Sequence, residues 1–365
     1  MAILLFILVL FILVLIHELG HFFVAKKFGI RVDEFGFGFP PRAKALFKRG
    51  ETLYTLNWIP FGGFVKIFGQ DPDDESLQGP EKSRAMINKP KYVQALVLVA
   101  GVVCNLLLAW VLFTVGFASG MPTSAGSLPE GATLERPSLM ITDVAKDSAA
   151  DVAGLMVGET ISGLSAGGDV VTENITVEVL QEFVKAHNDE SISITHNDGA
   201  GEKVTLVTPT ENEMGNKVLG IAMDTVGIVK LPFFESVVEG ARYTALTTKG
   251  TVVGFYMLIR DAVTGSGNLD AVTGPVGIVK IVGQAYDIGF IYLLSFTAII
   301  SVNLAVINLI PFPALDGGRL LFLLIESIKG SPINQKFANG ANFIGFCILI
   351  GLMLVVTYHD IVRLF

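Results

Sequence analysis

The chain begins MAILLFILVLFILVLIHELGHFFVAKK (residues 1–27), where sixteen residues without a charged side chain lead directly into HELGH. A helix that crosses a bilayer needs about 20 predominantly apolar residues, so this stretch is long enough to span a membrane. It lacks the basic start and the small-residue cleavage site of a removable signal peptide. His17, Glu18 and His21 are therefore predicted to lie inside a membrane-spanning helix, where ionisable side chains usually mark a functional site.

HELGH has the spacing of a zinc-binding helix. Each helical residue turns by about 100°, so His17 and His21 lie on one face and both imidazoles can reach one ion. Glu18 is offset around the helix and suits a general base that takes a proton from the hydrolytic water. Catalytic zinc sites usually have three protein ligands, so the pattern predicts Zn²⁺ and a third ligand from elsewhere in the chain.

The whole composition is that of a membrane protein. Hydrophobic residues make up 51% of the 365 residues and mean hydropathy is +0.60, which is too apolar for an ordinary soluble domain. The acidic pI of about 5.2 argues against a nucleic-acid partner. We expect a polytopic α-helical membrane protein with four transmembrane helices, which the apolar runs place at residues 2–25, 92–117, 290–310 and 343–357.

The distribution of charge predicts the topology. Residues 26–91 carry a net charge of +4, whereas residues 118–289 carry a net charge of −12. The positive-inside rule places 26–91 and the loop 311–342 in the cytoplasm, and both termini with 118–289 outside. The HELGH end of the first span then lies near the cytoplasmic face.

The segment NLIPFPALDGG (308–318) supplies the leading candidate for the third zinc ligand. Its two prolines break the helix, and Gly317 and Gly318 permit an unusual backbone at the cytoplasmic end of the third span. Asp316 would then lie at the membrane depth of HELGH. Aspartate is also a favoured N-cap residue, so Asp316 could instead cap a helix that begins near Arg319. Spacing alone leaves both roles open.

The cytoplasmic stretch contains an apolar segment with a strand pattern. In TLYTLNWIPFGGFVKIFGQ (52–70), apolar and polar residues alternate until residues 60–63 interrupt the run. We expect a β-hairpin that re-enters the membrane, where irregular backbone must be covered by protein or line a cavity. Residues 71–84 are polar and are predicted to form a mobile linker.

The outer segment contains a predicted globular domain at about 128–227. Short strands and two helices there indicate an α+β fold, in which His187 and His196 are expected at the surface. Apolar residues recur at helical spacing over 233–260, which indicates an amphipathic helix at the membrane surface. The following stretch, 272–283, is interpreted as an apolar loop.

Together these motifs resemble the site-2 protease family of intramembrane zinc metalloproteases, in particular its bacterial RseP-like branch with a single PDZ domain. The resemblance rests on HELGH, on IPFGGFVK (59–66) and on NLIPFPALDGG (308–318), and it covers nearly the whole chain. AGVVCN (100–105) also resembles a small-residue motif of the family's second span, with Val102 where proline is usual.

The resemblance implies roles for individual residues. It implies Glu18 as the catalytic acid/base, with His17, His21 and Asp316 as zinc ligands. It also implies that the hairpin receives an unwound substrate segment as an added strand. The residues implied in substrate binding are Asn308, Gly62, Gly63 and Phe64.

The predicted organisation has seven segments. These are a first transmembrane helix with HELGH (1–27), a cytoplasmic region with the re-entrant β-hairpin (28–91), a second transmembrane helix (92–117), an extracytoplasmic PDZ-like domain (118–229), an amphipathic region (230–288), a third transmembrane helix with the LDG loop (289–342), and a fourth transmembrane helix with the C-terminus (343–365).

The motifs together with the family resemblance predict an endopeptidase of the bacterial inner membrane. The resemblance implies single-span membrane proteins as substrates, such as anti-sigma factors and remnant signal peptides, after an upstream site-1 protease has trimmed them. One alternative is a catalytically inactive PDZ scaffold or membrane chaperone. Another is a membrane-anchored protease open to the cytosol, with Glu326 as third ligand.

Overall fold

A computed structural model describes residues 1–70, 78–129, 131–198, 201–211, 215–265 and 273–362. Residues 71–77 of the predicted linker lie outside this range. The chain divides into two units, of which one combines Met1–Val115 with Ser236–Phe365 and the other is Gly116–Glu235.

Nine α-helices are found in the described ranges. They are α1 (Ala2–Lys27), α2 (Lys91–Ser119), α3 (Ala149–Ala153), α4 (Val177–Ala186), α5 (Phe233–Thr264), α6 (Pro275–Ile288), α7 (Phe290–Leu309), α8 (Asp316–Lys329) and α9 (Gln335–Val362). Four of these, α1, α2, α7 and α9, are long and apolar enough to cross a membrane. The prediction of a polytopic membrane protein with four spans is thereby confirmed at the level of length and composition.

Helix α6 corrects the interpretation of 272–283 as a loop. Pro275 occupies the first helical position, where its fixed φ favours a helix start. The Asp360 carboxylate of α9 accepts hydrogen bonds from the backbone amides of Gly274 (3.0 Å) and Gly277 (2.8 Å). These amides have no partner within their own helix, so the acceptor comes from a residue more than 80 positions away.

Strands β1 (Val32–Arg49) and β2 (Thr52–Ile67) form the sheet of the first unit. Both bend, so their pairing produces four segments in the order 42–49, 52–57, 32–37 and 63–67. The two outer pairings are antiparallel, whereas 52–57 and 32–37 pair in a parallel register. The predicted hairpin pairing within 52–70 is therefore wrong, because its two halves pair on opposite sides of 32–37.

Glycine makes this arrangement possible. A Cβ atom on Gly63 would lie 2.8 Å from the carbonyl oxygen of Gly36, so the segments 32–37 and 63–67 approach closely only without side chains there. The entry of this sheet into the membrane stays a prediction.

A chain of ion pairs joins the end of α1 to the start of β2. Glu51 Oε1 lies 2.9 Å from Lys26 Nζ and 2.5 Å from Arg84 Nη2. Arg84 also pairs with Glu81, which in turn pairs with Arg31 at 2.6 Å. The hydrogen bond from Arg84, with a further one from Lys26, lowers the pKa of Glu51 from 4.5 to about 2.

Glu51→Gln is expected to destabilise the protein slightly at neutral pH and not at strong acid. A carboxylate with a lowered pKa contributes stability above its ordinary pKa of 4.5, and this is lost as pH falls towards about 2. Because these side chains are partly exposed, the effect at pH 7 should be about 0.2–1 kcal/mol. Thermal unfolding in detergent at pH 7 and pH 3 measures it. An equal difference between the variant and the unmodified protein at both pH values would contradict the expectation.

The second unit is α+β. Its strands are β3 (Met121–Ser124), β4 (Glu135–Val144), β5 (Thr160–Ala166), β6 (Asp169–Val171), β7 (Ile192–Asn197), β8 (Glu202–Val207), β9 (Thr210–Glu211), β10 (Lys217–Val218) and β11 (Ile221–Val229). The main sheet is antiparallel in the order β3-β11-β4-β5-β7-β8, with β6 paired to β5. The PDZ-like character of the unit stays a prediction.

Helices α3 and α4 of this unit begin at side-chain caps. The side chains of Ser148 and Thr176 accept hydrogen bonds from the amides three residues on. Leu180 and Phe183 of α4 pack into the apolar core of the unit. The expectation of a surface position for His196 is wrong, because its side chain is buried and lies 2.9 Å from the Glu159 carboxylate.

Candidate metal centre and active site

Two imidazoles and one carboxylate converge at a buried point on α1. His17 and His21 lie one turn apart and are only 6% and 7% exposed. Their Nε2 atoms are 3.1 Å apart, and Asp316 Oδ2 lies 3.0 Å from the first and 3.2 Å from the second. Asp316 is the first residue of α8, so the triad joins the first span to the loop after the third.

The geometry of the triad fits a zinc ion. With bonds of about 2.0–2.1 Å and tetrahedral angles, ligand atoms around zinc lie roughly 3.3 Å apart. The separations of 3.0–3.2 Å between the triad atoms are close to that value. Two imidazole nitrogens and a carboxylate oxygen are also a typical donor set for catalytic zinc. The three residues therefore form a suitable site for one metal ion.

The outer nitrogens of both rings point away from the triad. His21 Nδ1 lies 2.7 Å from the carbonyl oxygen of Val97 on α2, which can only accept a hydrogen bond. His17 Nδ1 faces the side-chain amide of Asn105, also on α2, at 3.4 Å. A hydrogen bond at Nδ1 fixes the tautomer and leaves Nε2 free to bind a metal.

Glycine lets α2 approach the triad. A Cβ atom on Gly101 would lie 2.6 Å from His21 Nε2 and 2.7 Å from His17 Nε2. On α1, a Cβ atom on Gly20, the residue before His21, would lie 2.5 Å from the carbonyl oxygen of Ala100. Small residues at such crossings allow the close approach of two membrane helices.

The sheet of the first unit lies beside Glu18. A Cβ atom on Gly63 would lie 3.9 Å from Glu18 Cγ, and one on Gly62 would lie 2.6 Å from a methyl carbon of Val14. The backbone of Val65 lies within hydrogen-bonding reach of the Glu18 carboxylate. The segment 63–67 thus runs along the turn of α1 that carries Glu18.

The sequence similarity agrees with this site. The model for peptidase family M50 matches residues 5–352. The chain belongs to peptidase family M50. The predicted resemblance to the site-2 proteases is thereby confirmed.

Three curated relatives of this M50 peptidase cover almost its whole length. Zinc metalloprotease RasP of Geobacillus kaustophilus is 29% identical, over 99% of this chain and 97% of the relative. The regulator of sigma-W protease RasP of Bacillus subtilis is 28% identical, over 99% and 98%. The regulator of sigma E protease of Haemophilus influenzae is 27% identical, over 98% of both proteins.

Two alternatives that the sequence of this M50 peptidase leaves open are not supported: Asp316 as a helix cap and Glu326 as the third zinc ligand. Asp316 is not an N-cap, because α8 begins at Asp316 itself and Leu315 occupies the cap position. Glu326 forms an ion pair with Lys91 and accepts a hydrogen bond from the amide of Ile333 at 2.9 Å. Its carboxylate is thus engaged away from the histidine pair.

The predicted substrate-binding residues lie in two different elements, the sheet of the first unit and helix α7. Gly62 and Gly63 lie against α1, and Phe64 packs on Gly36 in the same sheet. Asn308 is half-buried in the last turn of α7. Among the described residues, no hydrogen bond joins Asn308 to the triad.

Sequence reasoning missed Gly101 and Asn105. Both belong to AGVVCN (100–105), the segment with Val102 where proline is usual. Gly101 and Asn105 are four residues apart, as His17 and His21 are. A small residue and a polar one at that spacing in an apolar helix indicate a face that packs against another helix.

Proposed function

We propose that this M50 peptidase is a zinc endopeptidase that cleaves single-span membrane proteins inside the bacterial inner membrane. The observation that carries the proposal is the convergence of His17 Nε2, His21 Nε2 and Asp316 Oδ2 within 3.0–3.2 Å on a helix long and apolar enough to span a bilayer. The family and the relatives named zinc metalloproteases support zinc as the cofactor.

In this proposal the chain's own residues divide the chemistry. A bound zinc ion supplies Lewis acidity, which acidifies water and polarises a carbonyl group. His17, His21 and Asp316 would hold the ion. Glu18 takes a proton from the attacking water and passes it to the leaving amine. Because Glu18 directly follows His17, it would lie beside the ion without being a ligand.

The segment 63–67 is the proposed docking edge for the substrate. It pairs with 32–37 on one side, and within the described residues no strand pairs with its other side. A transmembrane helix hides its peptide bonds, so it must be extended before cleavage, and a free strand edge supplies backbone hydrogen bonds to an extended segment. Glu18 lies next to this edge. Asn308 and Phe64 are the further candidates for substrate contact.

The names of the relatives support a substrate class. Two of them are named as regulators of sigma factors, which supports membrane-bound anti-sigma factors as substrates. Remnant signal peptides are a second candidate. An upstream site-1 protease would remove the outer part first, and the PDZ-like unit outside the membrane would act on what remains. The active site would then face the cytoplasmic side.

The complete triad argues against the alternative of an inactive PDZ scaffold. A scaffold has no need for two buried imidazoles and a carboxylate within 3.2 Å of each other, since such a group of polar side chains in an apolar helix is costly. No described feature favours the scaffold.

Asp316→Ala is expected to lower zinc affinity more than about 100-fold. Loss of a residue that only hydrogen-bonds to a metal ligand typically lowers metal affinity about 10–100-fold, and loss of a ligand itself should lower it further. Metal analysis and chelator competition on the detergent-purified full chain measure this. Glu326→Ala is the matched control and should keep one zinc per chain. Loss of zinc from the Glu326 variant alone would assign the third ligand to Glu326. Absence of zinc from the unmodified protein would favour the scaffold.

A further inference from the structure

The side chain of Asn105 is a buried polar group that the proposed reaction does not use. Asn105 lies in α2 and is 0% exposed. As placed, its amide nitrogen lies 3.4 Å from His17 Nδ1, while its amide oxygen is buried without a hydrogen-bond partner. A buried acceptor in this state has lost its hydrogen bonds to water and gained none in exchange, which destabilises it.

A rotation of the amide gives this oxygen a hydrogen-bond donor. The oxygen and nitrogen of an asparagine side chain have nearly the same size, so a 180° turn exchanges them without changing the packing. After the exchange, the oxygen of Asn105 faces His17 Nδ1 and gains a partner. The hydrogen-bonding requirement of His17 decides between the two orientations.

That requirement follows from the proposed zinc site, on which this inference rests. A neutral imidazole that binds a metal through Nε2 carries its hydrogen on Nδ1 and needs an acceptor there. His21 has such an acceptor in the Val97 carbonyl oxygen at 2.7 Å. For His17 the group in reach is the Asn105 amide, which accepts only through its oxygen.

We infer that Asn105 is a positioning residue, whose side-chain oxygen accepts the Nδ1 hydrogen of His17 and fixes that ring for metal binding. The two histidines are then held in the same way, each by an acceptor on α2. Val97 and Asn105 lie two turns apart on that helix, with Gly101 midway between them. One face of α2 thus supports both rings.

The backbone of Asn105 is held separately from its side chain. Ser301 of α7 donates a hydrogen bond to the Asn105 carbonyl oxygen at 2.8 Å. A substitution at the Asn105 side chain leaves this contact between α2 and α7 in place. Substitutions there therefore test the hydrogen bond to His17 rather than the association of the helices.

The test compares Asn105→Asp with Asn105→Leu in the full-length protein, using chelator competition to measure zinc affinity. Aspartate keeps an acceptor oxygen at the same position, so Asn105→Asp should stay within about threefold of the unmodified protein. Leucine has a similar volume and no acceptor, so Asn105→Leu should bind zinc about 10–100-fold more weakly.

Asn303→Leu is the matched control. Asn303 is a half-buried amide in the membrane-spanning helix α7, and it accepts a hydrogen bond from Thr251 at 3.0 Å. Its replacement should leave zinc affinity unchanged. An equal loss in the Asn303 and Asn105 leucine variants would overturn the inference.

The remaining outcomes also test whether His17 needs an acceptor from Asn105. Unchanged affinity in Asn105→Leu, or a loss in Asn105→Asp as large as that in the leucine variant, would show that no acceptor is needed at this position. If Asn105→Leu does not fold, the aspartate variant still separates an acceptor from a donor. Failure of the unmodified protein to bind zinc refutes the proposed function instead, so the two failures are distinguishable.

Discussion

Glu18→Gln is expected to slow cleavage of a transmembrane reporter by about 10²–10⁴-fold while zinc stays bound, because it removes a general base and leaves the ligands in place. Glutamine has nearly the shape of glutamate but cannot take a proton from water. Glu18 lies beside the triad and against the strand segment 63–67, so its loss acts on the reaction rather than on folding. Cleavage in detergent or liposomes and metal analysis of the same sample measure both effects.

Glu182→Gln is a suitable control for this experiment. Glu182 is exposed on α4 of the second unit, and its replacement removes one negative charge in the same way. The control should cleave at the rate of the unmodified protein. A Glu18→Gln protein that cleaved at that rate would refute the assignment of Glu18. One that lost zinc as well as activity would instead identify Glu18 as a ligand.

Gly101→Val is expected to abolish zinc binding and to lower cleavage by about 10²-fold or more. The first atom of any side chain at Gly101 would lie within 2.6–2.7 Å of the Nε2 atoms of His17 and His21. The imidazoles would have to move, and displacement of catalytic groups by about 1 Å can already cost 10²-fold in rate. Metal content and reporter cleavage are again the measurements.

A glycine in open surroundings provides the control for Gly101. Gly351 lies within the membrane-spanning helix α9, and a Cβ atom there would meet nothing within 4 Å. Gly351→Val should therefore keep both zinc and activity. Gly101→Ala adds only the clashing atom and serves if the valine protein does not fold. Normal zinc binding by both Gly101 variants would contradict the described packing of α2 on the triad.

The parts of the fold that the sequence predicts are those with a local signal. Long apolar runs predicted all four spans, because a bilayer demands a continuous run that little else in a chain imitates. HELGH predicted two groups on one helical face, and helix geometry alone brings His17 and His21 together. Asp316 was a good candidate because so few ionisable residues lie near the ends of the spans.

The parts that the sequence did not predict depend on contacts between distant residues. The sheet differs from the predicted hairpin because 52–57 and 63–67 both pair with a third segment, 32–37, whose Gly36 permits close packing. Helix α6 stands where a loop was expected because the amides of its first turn find their acceptor in Asp360, which is distant in the sequence. Pairings of this kind leave no periodic pattern in the residues themselves.

The contact of the strand segment 63–67 with α1 has a thermodynamic consequence. Gly62 rests on Val14 and Gly63 on Glu18, so a peptide added to this strand presses on the same helical turn that carries His17. Coupling between two binding events is reciprocal, so the factor by which the ion favours the peptide is the factor by which the peptide favours the ion. We expect an enzyme saturated with an uncleavable peptide to bind zinc more tightly against a chelator than the enzyme without peptide does.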